Sequence, residues 1–118
     1  MRKRPLSVTL ISWLLIVVGA GGFVAHFYEA FKRHSLASDD VLVLAISLAA
    51  VVGGAFMLRG KNWARWLSIA WIALHVVVSY FHSMPEVAVH ALFLVVFAVA
   101  LFRPAANEFF RGLSPNRE

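Results

Sequence analysis

Five histidines stand out in a chain that has no cysteine and few charges. Four of them, His26, His75, His82 and His90, fall within or at the ends of long apolar runs, and His34 lies in a connection. An ionisable group inside an apolar span is expensive and often functional. Neutral imidazole is also a common metal ligand, and paired imidazoles on facing helices are one way to hold haem iron. Three chemistries are therefore open: bis-histidine ligation of a haem such as haem b, a divalent metal site, and proton or quinone chemistry. A structural role is also open, and the spacing favours it. No two histidines stand four apart as in helix-borne metal motifs, and Ser47, Ser79 or a neighbouring carbonyl can bond them instead. The serines have no visible acid–base partner, so nucleophilic catalysis has no support. Without cysteine, thiol catalysis, thiolate metal sites and disulfides are excluded.

The elements that must position these side chains are membrane spans. Hydrophobic residues make up 61 % of the 118 and charged residues 14 %, against about 25 % charged in soluble domains. Four apolar runs cover residues 6–27, 41–58, 64–81 and 87–102, leaving 103–118 as a short interfacial or cytoplasmic tail. A helix needs roughly 17–25 residues to cross the hydrocarbon, so the fourth run is near the lower limit, with Glu86 and Arg103 as snorkelling ends. The expectation is an all-α, single-domain integral membrane protein, an antiparallel up-down four-helix bundle.

Charge sets the orientation. Nine of the eleven Lys and Arg residues lie before span one (Arg2, Lys3, Arg4), between spans two and three (Arg59, Lys61, Arg65) or after span four (Arg103, Arg111, Arg117). Only Lys32 and Arg33 occupy the first loop, and the third has none. The positive-inside rule then puts both termini in the cytoplasm, with Trp63 and Trp66 anchoring the inner interface. The net charge of +5 flanks apolar runs and forms no aromatic-interleaved stripe, so nucleic acid is not an expected partner. A cleaved signal peptide ending near Val18-Gly19-Ala20 is the competing reading of the N-terminus, but the first run is longer than a typical signal core. In this orientation every histidine lies in the outer half or outer loops. His75 and His90 sit a few ångströms beyond the centre, and His26 and His82 on the order of 14 Å from it.

Local chemistry marks the helix ends. Ser38 precedes Asp39 and Asp40, acids that complement a first-turn dipole. Gly60 suits a left-handed position closing span two, Asn62 suits the cap of span three, and Ser83-Met84-Pro85-Glu86 reads as a capping box. Residues 104–112 suit a short interfacial helix that dips Phe109 and Phe110 into the inner leaflet. Small and polar residues recur seven apart: Ser12, Gly19 and His26 in span one, Asp40, Ser47 and Gly54 in span two (beside Gly53), and Ser68, His75 and His82 in span three (beside Trp71 and Ser79). Seven residues return to nearly one face, and small residues let helices approach in lipid. These seams should therefore face the bundle interior or a second subunit.

Arg4-Pro5-Leu6-Ser7-Val8-Thr9 and Arg59-Gly60-Lys61-Asn62-Trp63-Ala64-Arg65-Trp66 resemble the corresponding segments of uncharacterised small four-helix bacterial inner-membrane proteins. The resemblance implies a multi-pass inner-membrane location and four spans, and brings no activity or catalytic residue with it. The leading functional expectation is a non-catalytic scaffold, accessory or oligomer-forming subunit working with lipid and a second copy or partner membrane protein. Haem- or metal-binding redox proteins and channel or transporter subunits are the alternatives.

Overall fold

The computed structural model describes residues 4–111 and is all-helical, with no strand among them. Arg2, Lys3, Arg117 and the tail from residue 112 onward lie outside the described residues. Four long helices, α1 (Leu6–Arg33), α2 (Ser38–Leu58), α3 (Asn62–Tyr80) and α4 (Met84–Phe102), are followed by a short α5 (Pro104–Arg111). Three of them, α1, α2 and α4, are long and apolar enough to cross a membrane. The third expected span, α3, falls short of that apolarity because Asn62, Arg65, Ser68, His75 and Ser79 interrupt its run.

Each boundary has a local cause. The first helix continues six residues past the apolar run and stops where His34 turns left-handed (φ 54°), its N–H and that of Ser35 returning to Phe31 and Ala30 carbonyls. Its 28 residues span about 42 Å. At the start of α2, the Asp40 carboxylate accepts from the Ala37 N–H (3.0 Å) and pairs with Arg33 (2.8 Å). Gly60, at φ 78°, closes α2 as its sequence suggested. Ser83 accepts from the Glu86 N–H with proline in the first turn of α4. Asn62 does not cap α3: Lys61 holds the cap position, and the Asn62 side-chain oxygen is taken by Arg65 at 2.6 Å. Pro104 forces its predecessor out of helical geometry, so the chain breaks at Arg103 (ψ 160°) before α5 resumes.

The long helices form two antiparallel pairs, α1 with α2 and α3 with α4, held together through α2 and α3. Close approach in the first pair depends on absent side chains. A Cβ on Gly54 would lie 2.5 Å from the Ser12 carbonyl oxygen, and one on Gly19 would lie 2.6 Å from that of Ser47. Ser12 is fully buried with its hydroxyl unpartnered, so its place in the seam is a matter of size. Gly53 lies over Ser68 of α3. Ser12, Gly19, Ser47, Gly53, Gly54 and Ser68 of the expected seams are therefore packed within the chain, whereas His26 and His82 at the seam ends are exposed.

Packing is uneven along the long axis. The buried apolar cluster draws on Val8, Ile11 and Leu15 of α1, Ala50 and Met57 of α2, Ala64 and Ile72 of α3, Phe97 and Leu101 of α4, and three residues of α5. They run from the end that carries Arg4, Gly60 and α5 to about the middle of the long helices. Phe109 and Phe110 are in this cluster, at 6 % and 3 % exposure, so they do not dip into lipid as the sequence suggested. They cover the ends of α3 and α4. Toward the other end the two pairs separate and leave space.

Candidate functional site

That space is the candidate site. Two chambers lie between the helix pairs. One, of about 190 Å³, is lined chiefly by Leu14 and Val18 of α1, Trp71 and His75 of α3, and His90, Phe93 and Phe97 of α4. The other, of about 310 Å³, lies against α2 and reaches Gly22, His26 and Ser47. Val18, Trp71 and His75 line both. Three of the four candidate histidines thus border two adjacent chambers that share a wall, His90 the first, His26 the second and His75 both. His82 does not: it is exposed and bonds only within its own helix.

The imidazoles are held in a common way. Nδ1 of His26, His75, His82 and His90 lies 2.8–3.0 Å from the carbonyl oxygen four residues earlier, on Gly22, Trp71, Val78 and Glu86 respectively. A carbonyl only accepts, so each neutral ring carries its proton on Nδ1 and leaves Nε2 with a free lone pair. Ser79 fixes the His75–His90 pair further. Its hydroxyl donates to the His75 carbonyl (2.7 Å), and its oxygen, 2.8 Å from Nδ1 of His90, accepts from that ring. Trp71 anchors the array to α2 by donating to the Ile46 carbonyl (3.1 Å). Its ring lies 4.1 Å from His75, which lies 5.7 Å from His90, centroid to centroid. We expect ¹⁵N spectra of histidine-labelled protein at pH 8 to show Nδ1-protonated tautomers for His75 and His90. Ser79→Ala should blur the His90 signal and leave His26 unchanged; an Nε2-protonated His90 would refute the assignment.

No family model, curated protein or solved structure matches the chain. What the site can hold is therefore read from its own residues. The 190 Å³ chamber at the two facing imidazoles is smaller than the ~300–1,000 Å³ pockets that take drug-sized ligands, so it does not enclose a porphyrin by itself. Among the described residues no three histidine, aspartate or glutamate side chains converge to hold a metal ion. A metal at His75 and His90 would have those two protein ligands alone, where zinc sites use three or four.

The histidines were visible in the sequence; the role of Arg65 was not. Read there as a topology charge at the lipid interface, it is fully buried. Its guanidinium donates to the Leu101 carbonyl (3.1 Å), Asn107 (2.6 Å) and Asn62 (2.6 Å), and lies over the Phe102 ring at 4.2 Å and the Phe110 ring at 5.1 Å. Asn107 in turn donates to the Phe102 carbonyl. Arg65 thereby ties α3, the end of α4 and α5 together. Two signals pointed that way: Asn62 three residues earlier on the same face, and Asn107 as the one amide in α5. Among the described residues the other basic ones at that end, Arg4, Arg59, Lys61, Arg103 and Arg111, are exposed. Arg4 adds a tie of its own, donating to the Leu58 carbonyl at 2.9 Å. Trp63 and Trp66 are half-exposed, the first meeting Phe56 at a tilt and the second meeting Phe102 edge-on.

Proposed function

We propose that this chain is a four-span protein of a bacterial inner membrane, with both termini cytoplasmic, and that it serves as a non-catalytic accessory protein holding a small lipid-soluble molecule between its two helix pairs. Four spans follow if α3 crosses with α1, α2 and α4, and the burial of its polar groups supports this. Arg65, Ser68 and Ser79 are turned inward at 0 %, 1 % and 4 % exposure, while Trp66 and Val77 are exposed. Averaged hydropathy counts those inward groups as if lipid met them. The nine-to-two bias of basic residues supports the orientation.

The observation that carries the ligand reading is the cavity. Interiors are normally packed to crystal-like density, yet here packing stops at Ile72 and Phe97 and gives way to apolar chambers beside two oriented imidazoles. Oligomer formation through the glycine and serine seams is not part of the proposal, because α1, α2 and α3 already occupy them.

Two measurements test it. A reporter active only outside the cytoplasm, fused after residue 118, should stay inactive, and activity there would overturn the orientation. Purified protein in nanodiscs should bind an apolar fluorophore saturably, beyond its partition into empty discs. Gly22→Leu, which fills the larger chamber from α1, and Val18→Trp at the shared wall should each weaken binding about tenfold. Equal uptake by wild type, both variants and empty discs would remove the cavity as a binding site.

A further inference from the structure

The chemistry of the chamber walls narrows what the cavity takes. We infer that its ligand is an aromatic ring bearing a hydroxyl, a lipid-soluble phenol or hydroquinone, whose O–H donates to Nε2 of His75 or His90. This inference rests on the cavity reading above and adds the ligand class to it.

Four observations point the same way. No charged side chain lines the 190 Å³ chamber, so a charged ligand would enter with nothing to offset its desolvation. Its polar side chains are His75, His90 and Trp71, and the Trp71 N–H is already spent on the Ile46 carbonyl. The His75 Nδ1 proton goes to the Trp71 carbonyl, and the single His90 Nδ1 proton is shared between the Glu86 carbonyl and Ser79 Oγ, which turns the opposite edge of each ring away from those partners. What the pair offers a ligand is therefore two lone pairs and no proton. A ketone, ester or ether oxygen placed there would meet lone pair against lone pair, whereas a hydroxyl completes a hydrogen bond. The remaining surface favours a flat ring: Trp71, Phe93 and Phe97 supply aromatic walls, and aromatic pairs gain from offset or edge contact.

The route of entry fits a ligand dissolved in lipid. Leu14, Val18 and Phe93, all in the chamber wall, are 44 %, 48 % and 42 % exposed on the outer surface of α1 and α4. The chamber is thus reached from the side, between the helix pairs, and an alkyl tail can remain among the acyl chains while the ring lodges inside. Ser79 gives the site its stiffness. By holding His90 from α3, it keeps the two acceptors in register, so little ordering remains to be done on binding.

The experiment is a calorimetric titration in nanodiscs at pH 8 with four probes sharing one decyl tail: the phenol, the hydroquinone, the hydroquinone dimethyl ether and the benzoquinone. The two hydroxylated probes should bind at least about tenfold tighter than the ether and the quinone, the ratio expected when a buried acceptor is left unpartnered. His75→Phe and His90→Phe should reduce that ratio toward one while leaving ether affinity unchanged, which also shows that the variants are folded. If phenol and hydroquinone bind alike, the shared aryl hydroxyl is what the site reads; if the hydroquinone alone is favoured, the ligand is a quinol and both imidazoles engage it. Equal binding of all four probes by wild type would overturn the ligand class and leave the cavity standing. Binding no greater than in empty discs would overturn both.

Discussion

Arg65→Ala should release α5 and cost the fold about 3 kcal/mol. Hydrogen bonds to a charged group contribute about 1.5–3 kcal/mol each, and the substitution removes those to Leu101, Asn107 and Asn62 together with the cover over two phenylalanine rings. The loss is smaller than their sum, because the guanidinium is itself expensive to bury and its Nε has no partner. Asn62 is exposed and regains water, while the Leu101 carbonyl stays covered. Arg65→Lys should do little better than alanine, since an ammonium keeps the charge but cannot fork to acceptors on three elements. A chain without cysteine allows a clean readout. Cysteine placed at Ala106, fully buried in α5, should resist maleimide in the parent and react readily beside Arg65→Ala. Unchanged protection of that cysteine would show that α5 stays docked without the arginine.

Gly54→Val should separate α1 from α2 at a cost of about 2–3 kcal/mol, in the upper part of the range for overpacking a close-packed site. The first added carbon alone would lie 2.5 Å from the Ser12 carbonyl oxygen, 2.8 Å from a side-chain carbon of Ile16 and 3.3 Å from its backbone nitrogen. Two of these are backbone atoms and cannot swing aside, so the helices must part. Gly19→Val meets the Ser47 carbonyl at 2.6 Å and should behave alike. Gly21 is the control, because nothing lies within 4 Å of its missing Cβ; Gly21→Ala should be neutral or gain up to about 1 kcal/mol from helix propensity. Unfolding by added SDS would rank the three. A Gly54→Val protein as stable as Gly21→Ala would mean that the α1–α2 contact does not hold the pair together.

Both predictions concern features that the sequence displayed without explaining. Gly54 and Ser12 stood out by seven-residue recurrence, which assigns them to a face but names no partner. Ser12, Gly19, Ser47 and Gly54 turn out to serve one helix pair, and Gly53 and Ser68 another. Arg65 was indistinguishable from Arg59 and Lys61 by charge and position, and the three were read as one topology signal. Only one of them points inward. Its amide partner Asn107 lies 42 residues away, beyond the reach of any local rule.

The sequence by itself determined what depends on short stretches of chain. Apolar length and charge bias made the helices and their membrane character legible. Gly60 marked a turn through the left-handed backbone conformation it favours, and Ser83 marked a helix start through its side-chain cap. Tertiary structure decided how each helix is rotated and how closely it approaches its neighbours. Those choices placed His75 beside His90, left His82 outside, buried Arg65 and opened a cavity at one end. Rotation follows from which side chains interlock across a contact. That is a property of pairs of residues distant in the chain, and a few tenths of an ångström at Gly54 or Gly19 is enough to settle it.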